Sequence, residues 1–214
     1  MIRFKRNQVE EAIVRTIGAE GAGVNELKLK MKRLLVTDRR LGGGKPSDVK
    51  AGRGYAFYSQ KPLGSGVEVM FSGYEAFAVM AALIVLEHGI PQAKVVRILQ
   101  QVRSDFEAAH RDTLQQEPKA LFDPQAVRAM AKPGMIAVDN TAPVFLAFVK
   151  LDIGKGRVRA LISVCRGHDG LASFLREHSI PGSGATHFEF ARLIHTLADN
   201  LKQTRPVKRG RSTL

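Results

Sequence analysis

One cysteine in 214 residues removes two possibilities at once. Cys165 has no second thiol to pair with, so the chain has no internal disulfide framework and no zinc site built on several thiolates. Acidic residues are also scarce: 20 aspartates and glutamates stand against 33 lysines and arginines, a formal net charge of +13. A surplus of that size points to a polyanionic partner. No apolar run approaches the roughly 20 residues that a bilayer-spanning helix needs. The opening MIRFKRNQVEE is basic but has no apolar stretch, so no secretory signal is expected. A reducing, cytoplasmic setting and no membrane partner are the expectations.

Catalytic and ligand-holding patterns are equally thin. The histidines at 88, 110, 168, 178, 187 and 195 show neither H-x-x-x-H nor Cys–His ligand spacing, so no metal is expected. GGGKPS at 42–47 lacks the frame of a phosphate-cradling loop and follows a helix rather than a strand. Cys165, His168 and Asp169 are neighbours in sequence, and neighbours rarely aim a base at a sulfur. Neither catalytic residues nor a cofactor are expected, and the chain reads as a non-enzyme.

What the sequence does contain begins with Ala76–Leu86, eleven apolar residues without a break. Ser72 and Glu75 ahead of it fit a capping box, and Gly89 with Pro91 behind it suits a helix end followed by a new helix start. A helix apolar all round must be buried. It is therefore the expected post of a first domain. From Pro91 to about Leu114 a second helix is expected, with Val95, Leu99, Val102 and Phe106 forming a heptad seam. That seam suits either the chain's own core or a homodimer.

Charge is unevenly placed. Residues 1–61 hold 14 lysines and arginines against 6 acids, residues 62–134 hold 7 against 8, and residues 135–214 hold 12 against 6. The basic surface thus belongs to the two ends. Near the N-terminus, Asn7 is placed to cap a helix over 8–17, and Asn25 a second over 26–36. Leu27, Met31, Leu34 and Leu35 make the core stripe of that second helix, with Lys28 and Lys32 on one flank and Lys30 and Arg33 on the other; Leu29 points away unexplained. Residues 37–54 read as a glycine-rich basic loop. Tyr55–Tyr58 and Val67–Phe71 read as a β-hairpin.

Two short helices at 8–35, the strand GYAFY, and LEHGIPQAKVVRILQQV resemble the winged helix-turn-helix of MerR-type regulators, over residues 4–114. The resemblance implies a DNA reader, with the buried helix leading through a glycine turn to a dimerising coil. Lys28, Lys32, Arg33, Arg39 and Arg40 would then meet the major groove, with Arg53 and Lys61 on the wing. The blander alternative is a solvated helix face. Lysines outnumber arginines on the helix, which suits phosphate positioning better than base reading.

Residues 115–134 read as a linker. Residues 135–201 read as a small α+β module, with strands at 144–151 and 157–165, a helix at 169–178, and a capping box Thr186–Glu189 opening a last helix. Such a module suits an unknown effector or partner. Residues 202–214, with Arg205, Lys208, Arg209 and Arg211, read as a disordered basic tail. The expected fold is α+β, and the expected function a dimeric transcriptional regulator bound to double-stranded DNA. The alternative is an RNA or single-strand binding accessory protein that stacks bases on Tyr55, Phe57 and Tyr58.

Overall fold

The computed structural model describes residues 2–42, 54–60, 69–153, 157–179 and 183–206. The fold is α+β and divides into two units, residues 1–100 joined by 196–214, and residues 101–195. This division differs from the expected one. Residues 115–134 fall inside the second unit rather than between domains, and the chain's end returns to the first.

In the first unit, β1 (Phe4–Lys5) leads into α1 (Arg6–Ile17), which buries Val9, Ala12 and Ile13. Gly18 ends α1 in the left-handed region at φ 72°, a conformation that costs an L side chain energy. α2 (Ala22–Leu41) and α3 (Gly73–Glu87) follow, with β2 (Met70–Phe71) between them. α3 packs against both α1 and α2. It buries eleven of its fifteen residues, including Phe77 and Met80, as an all-apolar helix must.

The capping box on α3 is present, with an addition. Ser72 Oγ accepts from Glu75 N at 3.1 Å, and Ser72 N donates to Glu75 Oε2 at 2.6 Å. The other carboxylate oxygen accepts from the amide and hydroxyl of Ser59. Ser72→Ala removes one cap acceptor and should cost about 1 kcal/mol of first-unit stability. Urea unfolding followed by circular dichroism checks this; an unchanged midpoint would contradict it.

Three expectations for this unit are corrected. First, α2 spans Ala22–Leu41 rather than 26–36, so the turn before it shrinks to residues 18–21 and residues 37–41 are helical. Thr37 and Asp38 are buried with partners, which carries the helix past the point where its apolar pattern fades. Second, Tyr55–Tyr58 forms no strand. β2 pairs instead with β1, Phe71 opposite Phe4. Third, the expected helix from Pro91 breaks at Val102 into α4 (Gln92–Gln101) and α5 (Arg103–Gln115). Of the four seam residues, Val95 and Leu99 are buried on α4, and Val102 and Phe106 are buried at and after the break.

The end of α9 (Ala191–Gln203) closes the first unit. Asn200 donates to Thr16 Oγ1 at 3.0 Å, and Gln8 donates to the Thr204 carbonyl at 2.9 Å. Residues 202–206 are thus described and partly packed, while 207–214 of the expected tail lie outside the described residues.

The second unit is a three-stranded antiparallel sheet in the order β4–β3–β5, made of β3 (Val144–Ile153), β4 (Arg157–Arg166) and β5 (Gly184–Glu189). Alternation puts Phe145, Ala147 and Val149 on one face, where they pack with Cys165 and with Leu171 and Phe174 of α8 (Gly167–His178). The opposite face carries Leu146 beside Phe188, and Phe188 leads by ring contact to Phe190 and then to Phe106 of α5. Thr186–Glu189 is therefore strand and not a capping box. Glu189 instead serves both ends of the crossing, accepting from Val144 N and from Ala191 N at the start of α9. α6 (Pro118–Leu121) and α7 (Pro124–Met130) complete this unit.

Candidate nucleic-acid interface

A helix turns about 100° per residue, which sorts α2 into two faces. Met31, Leu34, Leu35 and Asp38 lie on the buried one. Lys28, Lys32, Arg33, Arg39 and Arg40 are all exposed and fall within an arc of about 140° on the other. Among the described residues, Lys28, Lys32, Arg33 and Arg40 enter no ion pair. Lys30 is different. It bridges Glu26 at 2.7 Å and Glu87 at 2.6 Å, tying α2 to α3, and these carboxylates hold its ammonium above the usual lysine range.

Arg39 is also set apart from the other four. Its guanidinium carbon lies 5.6 Å from the centre of the Tyr58 ring, over a phenol whose own burial raises its pKa. Arg39 is therefore steered by the 54–60 segment. Arg53 and Lys61, expected on a wing, lie outside the described residues. Of the expected tail cations, Arg205 is described and exposed, and Lys208, Arg209 and Arg211 lie outside.

The face is held in place by a buried anchor that periodicity does not reveal. Asp38 accepts from Ala56 N at 2.8 Å, Phe57 N at 2.9 Å and Gln100 Nε2 at 3.1 Å. Glu75 holds Ser59 from the other side. Two carboxylates thus fix the backbone of 56–59 between α2 and α3. Phe57 and Tyr58 are buried in consequence, which withdraws them from base stacking. Gly42 completes the fit, since a Cβ there would overlap the Tyr55 ring. Gln92 at the start of α4 donates to the Arg33 carbonyl at 3.1 Å and to Thr37 Oγ1, fixing the middle of α2 as well.

No family model, curated protein or solved structure matches this chain.

The candidates for chemistry lie in the second unit. Cys165 is buried, and burial pushes its thiol up, which keeps it protonated. His168 and His187 each set a ring against Phe145, at 5.9 and 5.8 Å between centres. His195 Nε2 lies 3.0 Å from the Thr113 carbonyl, and its ring meets Phe122 edge-on. Among the described residues, no group of three histidine, cysteine, aspartate or glutamate side chains is placed to hold a metal. No helix among them is long and apolar enough to cross a membrane.

One feature escapes the sequence, and a second is half legible in it, since Leu29 alone stands out there as pointing away from the core stripe. Asp38 looked like a loop residue, because a lone aspartate after an apolar stripe usually faces water. Leu29 and Val36 are exposed in the middle of the cationic face. Their spacing of seven was the available signal, since it puts both on one side of a helix.

Proposed function

We propose that this chain is a DNA-binding protein of the transcription-regulator type, with α2 laid along the major groove of a duplex. The observation that carries the reading is the exposed face of α2, where four cations without acidic partners among the described residues share one side of a helix whose other side is locked into a core. A solvated helix face mixes both signs of charge, whereas this arc holds cations from Lys28 to Arg40 and one acid at its edge, Glu26, which is occupied by Lys30. Clustered cations neutralise phosphates and release counterions, which gives affinity that falls with salt. The reading does not need the hairpin wing, nor a dimer formed through the seam.

Duplex DNA is favoured over single strands because two of the three stacking candidates, Phe57 and Tyr58, are buried, which leaves only the half-buried Tyr55. Fluorescence anisotropy with a labelled duplex across about 50–200 mM salt tests the proposal. The paired change Lys32→Ala and Arg33→Ala should lower the slope of log affinity against log salt by about 2, at about 0.9 per lost phosphate contact, and weaken binding about tenfold. Failure of the unaltered protein to bind duplex at the lowest salt would end the proposal. Preferential competition by single-stranded RNA would move it to the RNA reading.

A further inference from the structure

The exposed face of α2 is more than a set of cations. Taken at about 100° per residue, Lys28 and Arg39 form one rail and Arg33 and Arg40 the other, separated by about 100–140°. Asn25, Leu29, Lys32 and Val36 run between the rails, stepping by four, three and four. Leu29 is 46% exposed and Val36 56% exposed, the two most exposed large apolar residues on any helix among the described residues. They stand about 10.5 Å apart along the axis, or about three base-pair steps.

This pattern complements the major groove in cross-section. Two phosphate backbones line its walls, about 12 Å apart, and would face the two rails. Base edges form its floor, and would face the line between. Only one apolar group projects from that floor, the C5 methyl of thymine. We infer that Leu29 and Val36 read thymine methyls, giving the protein a preference for duplexes with thymines about three base pairs apart. Asn25 on the same line suits adenine, whose N6 and N7 a side-chain amide can pair with. The inference rests on the DNA-binding reading and goes further, from phosphate affinity to sequence preference.

Deoxyuridine supplies the test, because it differs from thymidine only by that methyl. A duplex drawn from sequences that the full-length protein enriches out of a random pool is made in both forms. The unaltered protein should favour the thymine form by about fourfold per contacted methyl, about tenfold or more for two. Leu29→Ala combined with Val36→Ala should bind the two forms equally, at an unchanged salt slope. Neither side chain is buried, so the variant should also melt with the unaltered protein, which separates lost recognition from lost folding. Equal binding of both forms by the unaltered protein overturns the methyl contact while leaving DNA binding standing. So does a thymine preference that persists in the double variant, or an enriched set lacking paired thymines. If the unaltered protein binds no duplex at all, the functional proposal itself has failed.

Discussion

Replacing Asp38 with alanine should cost the first unit about 4 kcal/mol and lower its melting temperature by about 15 °C. Three N–H groups converge on this one fully buried carboxylate, two of them from the backbone. A carboxylate suits the task because it only accepts, and its two oxygens have room for all three donors. Alanine leaves Ala56 N and Phe57 N in the interior without this acceptor, and each such orphan costs about 1–3 kcal/mol. That is a large share of the roughly 5–15 kcal/mol by which a domain is stable. Asp38→Asn is the informative companion. It keeps one acceptor oxygen and sets an amide donor against a donor, so its loss should be about half as large. On the proposed reading, duplex binding should fall with the folded fraction in both variants, since α2 is anchored through this residue. If Asp38→Ala melts with the unaltered protein, the anchor has been misjudged.

Acid should loosen the second unit, and His110 is the named cause. Burial and the nearby His195 ring hold His110 down at about 4, against an ordinary value of 6.5. The buried imidazole is therefore neutral, and the unfolded chain binds the extra proton. Stability from this source is fully present above about pH 6.5, declines as pH falls, and is lower by about 3 kcal/mol near pH 4. Between pH 6.5 and 5, where most carboxylates remain ionised, the loss should be about 2 kcal/mol. Glu189 works in the opposite sense. Burial raises its carboxyl, so uptake of a proton there favours the folded state as pH falls. The difference between the unaltered protein and His110→Gln isolates the histidine. Urea midpoints of the second unit at pH 7, 6 and 5 should converge for the two proteins as pH falls; parallel curves would refute this assignment.

Legibility in the sequence tracked how local the deciding physics is. The capping box at Ser72 and Glu75 and the apolar run behind it placed α3 almost to the residue, because both signals act within one or two turns. The strand-prone apolar run Val144–Leu151 and the alternation over Arg157–Cys165 mark the two long strands for the same reason. Pairing between distant segments was not legible. Phe4–Lys5 is two residues long and finds Met70–Phe71 across the chain, and nothing in either pair names the other. Thr186 and Glu189 match a capping box by spacing alone, while their backbone is recruited by β3. The cationic face of α2 could be read from helical period. Its anchor could not, since a buried aspartate carries the same letter as a solvated one.

The return of residues 196–204 to α1 has a consequence for how the protein is made. A ribosome delivers Thr204 and Asn200 only 184 or more residues after their hydrogen-bond partners Gln8 and Thr16. A nascent chain therefore carries its basic helix on an unfinished scaffold, and prematurely terminated products inherit that defect. Synthesis of residues 200–204 becomes the step that completes the support of α1.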